Sequence, residues 1–240
     1  MKEIFVVVLL FCSLVLADNP VLKNPGIPKF ERLKAWDYIN KKVGFVPGDI
    51  TIKETTVDGK KYYVVNSTEG KYFRNVITLN YDTLAPISDE RYDSQANTLI
   101  EAWYRLPKSM IRFYQKAKNI DLKQNDSNQN VYSRYAFFVS LRGFPFCKKD
   151  QVSFQTYMYE YGNFLSLKAV NLGKEKITVK AGTFECYKIE LCVDSWQGIV
   201  ANDKYYLYFT VDGTHQFMRF DQKVEDGKWL SNELMFYSLK

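Results

Sequence analysis

Residues 174–193 read KEKITVKAGTFECYKIELCV, and few local structures can accommodate that pattern. Ile177 and Val179 alternate with Lys176, Thr178 and Lys180, a period of two that belongs to a strand with one buried face. After Ala181-Gly182-Thr183 the alternation resumes. Tyr187, Ile189, Leu191 and Val193 then share one face, and Cys186, Lys188, Glu190 and Cys192 the other. Gly182 tolerates positive φ and is the expected structural turn between the two strands. A lone hairpin is at best marginally stable in water. It needs further strands, and the rest of the chain supplies them.

Most segments after Asp49 keep the two-residue period. Expected strands cover residues 50–57 and 61–66, joined by the strong hairpin signal Asp58-Gly59, then 71–81, 87–92, 98–106 and 110–116. A second run covers 151–161, 164–170, the hairpin above, 203–211, 216–224 and 228–239, with Gly162, Gly173, Gly213 and Gly227 as turns. Two stretches break the period. Residues 29–43 place Phe30, Leu33, Trp36, Ile39 and Val43 at three- and four-residue steps, between Pro28 and Gly44, so an N-terminal amphipathic helix is expected. Residues 131–142 carry Val131, Tyr132, Tyr135, Ala136, Phe138 and Val139 around most of a helix circumference, with Gly143 as a stop and Pro145 preventing resumption. This inserted apolar helix must be largely buried. Residues 118–130 are expected as a solvated polar loop, because Asp126-x-Asn128-x-Asn130 lacks the glycine and the closing Glu of a calcium loop. The expected fold is mainly β, a curved antiparallel sheet or open β-barrel of about twelve strands with these two helices.

That single domain is expected over residues 18–240, because residues 1–17 have another purpose. Lys2, the apolar run 4–16 and the small-residue site Val15-Leu16-Ala17 form a signal peptide, which places the protein in the periplasm or outside the cell. No later segment is apolar enough for a transmembrane helix. The chain ends on Lys240 rather than on an aromatic residue, and charges interrupt both faces of many strands, so an integral outer-membrane barrel is not expected. The net charge of +6 is spread over lysine pairs such as Lys41-Lys42 and Lys148-Lys149, which excludes the basic tract of a nucleic-acid binder. Of four cysteines, Cys12 lies in the signal peptide. Cys186 and Cys192 sit on one strand about 20 Å apart, beyond the reach of roughly 7 Å that a disulfide allows. Cys147 pairs with one of them, or all three remain thiols.

Aromatic residues make up 16% of the chain, and their placement is informative. In residues 205–211, Tyr205, Leu207, Phe209 and Val211 share one face while Tyr206 and Tyr208 occupy the other. In residues 152–161, Phe154 and Met158 lie opposite Tyr157, Tyr159 and Tyr161. Such strands are either covered on both sides or line a cavity on one. The candidate ligand-lining residues are therefore Tyr135, Phe138, Tyr157, Tyr159, Tyr206 and Tyr208. His215, the only histidine, follows Asp212-Gly213-Thr214 and is expected as an exposed turn residue. A His-rich metal site is thereby excluded, and a Ser-His-Asp triad would have to use His215 itself. No dinucleotide loop, phosphate loop or nucleophile elbow is present. No catalytic residue, metal ligand or cofactor is assigned.

Residues 178–190, TVKAGTFECYKIE, resemble the strand–AGTF–strand signature of exported bacterial proteins in the family "domain of unknown function 3108". Residues 79–87, LNYDTLAPI, are similar to that family's strand-turn around a "tLlP" sequence, and residues 141–146, LRGFPF, to its "lR.lPl" segment after the helix. The three keep the family's order and cover residues 46–240, leaving the expected helix 29–43 without a counterpart. The resemblance implies a curved antiparallel sheet akin to the open barrels of periplasmic lipoprotein carriers, which wrap an apolar cavity partly plugged by helix. It transfers no catalytic residue. The expected function is non-catalytic binding or carrying of an apolar small molecule such as lipid. Two alternatives stand beside it: an envelope assembly module that binds another protein, and a hydrolase whose distant acidic residues converge in the fold.

Overall fold

The computed structural model describes residues 21–39, 42–43, 48–69, 72–95, 97–105, 108–115, 118–125, 130–158, 163–194, 204–223 and 229–239. The expected signal peptide lies outside them. Fifteen strands are described: β1 Phe30–Ile39, β2 Lys42–Val43, β3 Gly48–Val57, β4 Lys60–Glu69, β5 Phe73–Asn80, β6 Pro86–Asp93, β7 Thr98–Arg105 and β8 Lys108–Gln115, then β9 Lys118–Asn125, β10 Gln151–Met158, β11 Asn163–Val179, β12 Gly182–Val193, β13 Tyr205–Thr210, β14 Phe217–Lys223 and β15 Trp229–Leu239. They form one sheet in the order β10-β11-β12-β13-β14-β15-β1-β3-β4-β5-β6-β7-β8-β9, with β2 beside β1. The fold is the expected mainly β, unclosed curved sheet, with more strands than expected.

One extra strand replaces the N-terminal helix. Residues 30–39 are β1, paired with β15 on one side and β3 on the other. Glu31, Leu33 and Ala35 are buried while Arg32 is exposed, a period of two. The pattern was hidden because Glu31 reads as an outward-facing residue. It is instead wholly buried, with Arg142 Nη1 and Nη2 donating to its two carboxylate oxygens at 2.7 and 3.0 Å. Once Glu31 counts as a core residue, the alternation is plain. Another extra strand is β9, which occupies most of the expected polar loop 118–130. It pairs with β8 in a register that sets Ile120 opposite Phe113 and Leu122 opposite Ile111.

The opening hairpin is β11–β12, and its details differ from expectation. Gly173 is not a turn between strands. It sits at a bulge between Asn171 and Lys174, at φ +99°, within a continuous β11. Val179 pairs with Gly182, so Lys180 and Ala181 form the two-residue turn, and Gly182 follows it at φ +139°. The bulge lets the hairpin tip bend toward β15, where the Ala181 N–H donates to the Leu234 carbonyl at 3.1 Å. Ile177, Val179 and Cys186 thereby join a core containing Tyr208, Met218 and Leu234. Cys147, Cys186 and Cys192 are all free thiols, and Cys147 is exposed.

The inserted helix is shorter than expected and starts later. Arg134–Ala136 is a 3₁₀ turn, Phe137–Ser140 is α1, and Leu141–Gly143 is a second 3₁₀ turn. Val131 instead makes a parallel bridge to Gln155 of β10. This helical segment sits inside the curve of the sheet: Ala136 and Val139 pack into one cluster of the core, and Leu141 into the other. Arg142 ties it to β1 through Glu31, and Nε of Arg142 donates to the Thr214 carbonyl at 2.9 Å. Gly143 is needed for space rather than for a left-handed conformation. A Cβ there would lie 2.6 Å from the Lys23 carbonyl oxygen, because residues 21–24 run against it.

The two ends of the sheet, β10 and β9, share no ladder among the described residues. Residues 130–132 cover the free edge of β10, with the Tyr132 N–H donating to Gln155 O at 2.8 Å and the Gln155 N–H to Asn130 O at 2.7 Å. Ser133 then donates to Asp89 on β6. Tyr157 of β10 packs with Ala102 of β7. These contacts tie the β10 end of the sheet to β6 and β7 while the sheet stays unclosed.

Candidate functional site

Between the helical segment and the sheet lies a pocket of about 630 Å³. Nine strands that are consecutive in the sheet, from β10 through β15 and β1 to β4, each contribute lining residues. Nine flat strands would span about 38 Å at the usual spacing, too far to share one pocket. The sheet must curve around it. Ile50, Leu165, Leu167, Leu191, Leu207, Phe220 and Leu230 supply the apolar wall, and Phe137 and Phe138 of α1 form the lid side. Phe138 meets Phe217 edge-on, with ring centres 5.9 Å apart. Such contacts hold rings in place beyond what burial alone provides.

The polar groups are few. Ser67, Thr68, Thr156, Gln222 and Asn232 line the pocket beside a single cation, Arg134, and no carboxylate lines it among the described residues. Arg134 Nη2 donates to Tyr135 Oη at 2.6 Å, and Nη1 lies 3.8 Å from Met158 Sδ. The guanidinium also sits 4.7 Å from the centre of the Tyr135 ring, with Arg91 at 4.3 Å from the same ring. These contacts orient the arginine as cation–π pairs do. Thr156 is 1% exposed, and its hydroxyl has no hydrogen-bond partner among the described residues.

Of the sequence-derived candidates, Tyr135 and Phe138 stand at the pocket wall. Tyr206 and Tyr208 alternate with the pocket-lining Tyr205 and Leu207 and so face away from it. Tyr206 stacks on Trp229 with ring centres 5.9 Å apart. Tyr208 is 2% exposed and lies under the Arg219 guanidinium at 4.3 Å. Burial raises its pKa, which the neighbouring Arg219 opposes. Tyr157 likewise alternates with the pocket-lining Thr156 and Met158, and packs edge-on against Phe164 at 5.2 Å. Tyr159 lies outside the described residues. Gly182, expected as the turn residue, instead opens β12 directly after the Lys180-Ala181 turn, at φ +139°.

Arg134, Thr156 and Cys192 were not among the candidates. The signal for Arg134 is a lone cation at the head of an apolar stretch; nothing in the sequence distinguishes Thr156. Cys192 lines the pocket half-buried, its Sγ 3.6 Å from the Lys168 carbonyl, and burial raises its pKa. Cys186, buried in the core, is pushed up to about 12 by burial. His215 lies elsewhere and is not an exposed turn residue. It is half-buried, with its ring 4.6 Å from Phe146 and 5.8 Å from Tyr187, and Nδ1 lies 3.1 Å from the Thr210 carbonyl. Among the described residues no three His, Cys, Asp or Glu side chains are placed to hold a metal ion. No described helix is long and apolar enough to cross a membrane.

A family model described as "Protein of unknown function (DUF3108)" matches residues 38–234. The chain belongs to DUF3108. No curated protein matches it. Among solved structures, this DUF3108 chain is similar to a β-barrel-like protein of domain of unknown function DUF1849 from Brucella abortus. That match has 7% identity and a TM-score of 0.49, covering 89% of this chain and 99% of the other. It is similar to the lipoprotein LppX of Mycobacterium tuberculosis at 8% identity and a TM-score of 0.25, covering 86% and 85% of the two chains. A DUF1329 family protein from Desulfovibrio piger matches at 13% identity and a TM-score of 0.27, covering 90% and 88%. At these scores the likeness says nothing about what the DUF3108 chain binds.

Proposed function

We propose that this DUF3108 protein is an exported, non-catalytic binding protein that takes an apolar ligand such as lipid into the pocket inside its curved sheet. The pocket is the observation that carries this reading. Protein interiors normally pack without voids much larger than a water molecule. Here nine strands curve around about 630 Å³ of mostly apolar space that the helical segment leaves unfilled. That volume falls within the range of roughly 300–1,000 Å³ typical of small-molecule sites. Tyr135 and Phe138 are proposed ligand contacts on the helical side. Export is supported by residues 1–17, which read as a signal peptide.

The three thiols provide the test. Cys192 lines the pocket, Cys147 is exposed, and Cys186 is buried away from the pocket lining. Iodoacetamide should label Cys147 rapidly, Cys192 more slowly, and Cys186 only on unfolding. A long-chain apolar compound that forms a one-to-one adduct in native mass spectrometry should slow labelling of Cys192 and leave Cys147 unchanged. Failure to find any such adduct, with Cys192 labelled at one rate throughout, would overturn the proposal.

A further inference from the structure

Two amide side chains on the pocket wall specify more than an apolar occupant. We propose that the ligand's apolar chain ends in an uncharged, hydroxyl-bearing head group, held by the side-chain amides of Gln222 and Asn232. This inference rests on the pocket being the binding site.

Register places the two amides together. On the neighbouring strands β14 and β15, Gln222 is opposite Leu230 and Asn232 is opposite Phe220, and all four residues line the pocket. Gln222 and Asn232 are therefore diagonal neighbours on the inner face, with Cβ atoms about 7 Å apart, near enough for both amides to reach one head group. Both residues are half-buried, and neither side chain is hydrogen-bonded to another described residue. Their capacity to donate and to accept is open to an occupant of the pocket.

The pair stands at one end of the pocket. Gly48, Thr68, Val193, Tyr205, Gln222 and Leu230 all line it, and each lies within two residues of a strand terminus. Antiparallel pairing brings these termini to the same end of the sheet. Phe217 is at the opposite terminus of β14, where it meets Phe138. A head held by Gln222 and Asn232 leaves the chain to run inward past Leu207 and Phe220 toward those two rings.

Charge sets the class of head. An ionised group brought into a mostly apolar pocket needs an opposite charge beside it, and amides carry none. Arg134 stands against β10, four strands from β14 in the sheet, and its guanidinium donates to Tyr135 Oη and lies over that ring. A hydroxyl needs no counter-charge. It donates to an amide carbonyl and accepts from an amide N–H, so a diol satisfies Gln222 and Asn232 together, whereas a simple ester offers acceptors only.

The test is calorimetric titration of the purified protein at pH 8 with 1-monolauroylglycerol, with methyl laurate and with laurate. The monoglyceride should bind about tenfold to a hundredfold more tightly than the methyl ester, the scale of two net hydrogen bonds. Gln222→Leu and Asn232→Leu should each weaken the monoglyceride about fivefold and leave the ester no weaker; either variant serves if the other does not fold. Equal binding of monoglyceride and ester, or a ratio untouched in the folded variants, would overturn the head site while leaving an apolar ligand in the pocket. Laurate binding as tightly as the monoglyceride would overturn the uncharged head. Binding of none of the three, with Cys192 labelled at one rate throughout, would overturn the pocket reading and the head assignment with it.

Discussion

Breaking the Glu31–Arg142 pair should destabilise this protein more than most core substitutions. Arg142 Nη1 and Nη2 donate to the two Glu31 oxygens at 2.7 and 3.0 Å, and Nε donates to the Thr214 carbonyl at 2.9 Å. Both side chains are wholly buried. Glu31→Gln leaves the guanidinium without its counter-charge, and Arg142→Met leaves the carboxylate without one. Stranding one charge of a buried pair costs about 3–5 kcal/mol, a large share of the roughly 5–15 kcal/mol that holds a typical domain folded. The double variant Glu31→Leu with Arg142→Met strands no charge and loses mainly the hydrogen bond to Thr214. Its cost should be about 1–2 kcal/mol, below that of either single variant. Urea unfolding followed by tryptophan fluorescence measures all three. With a slope of about 2–3 kcal/mol per molar, each single variant should lower the midpoint by roughly 1–2 M at unchanged slope. Single variants within about 1 kcal/mol of the wild type would show the pair to behave like an exposed one. That result, or a double variant as damaged as the sum of the singles, would refute the reasoning.

Two further outcomes follow from local geometry. Gly143→Ala places a methyl group 2.6 Å from the Lys23 carbonyl oxygen and 2.8 Å from its nitrogen, so backbone must move and the Lys23 N–H···O=C Gly143 bond of 3.1 Å is disturbed. A loss of about 1–3 kcal/mol is expected in the same urea assay, and an unchanged midpoint would show that residues 21–24 yield freely. His215 has its pKa lowered, chiefly by burial, against the opposing pull of the Thr210 carbonyl. Above about pH 6.5 it is neutral in both folded and unfolded chains; below that the unfolded chain takes up the proton first, so acid weakens the fold. His215→Gln should flatten the fall in urea midpoint between pH 7.5 and 5.5, and an identical fall in the variant would sink the assignment.

What the sequence determined on its own is what depends on near neighbours. The two-residue period marked most strands, and Asp58-Gly59 marked the β3–β4 turn, where both residues take positive φ, at 50° and 73°. Apolar residues on every side of the 131–142 stretch required burial, and the helical segment lies inside the sheet. The tertiary structure decided what depends on partners far along the chain. Glu31 and Arg142 are 111 positions apart, and each reads as a solvent-facing charge until the other is placed against it. The expected helix is β1 because residues 30–39 ladder to β15 and β3, partners as far along the chain as Leu239. The faces of β10 and β13 were legible as apolar on both sides, but alternation cannot say which side looks inward. Tyr206 and Tyr208 went to the arginine- and lysine-covered side, and Tyr205 and Leu207 to the pocket. The pocket itself was open only to three dimensions. It exists because nine strands curve around a space that the helical segment only partly fills, and curvature is a property of the assembled sheet rather than of any strand in it.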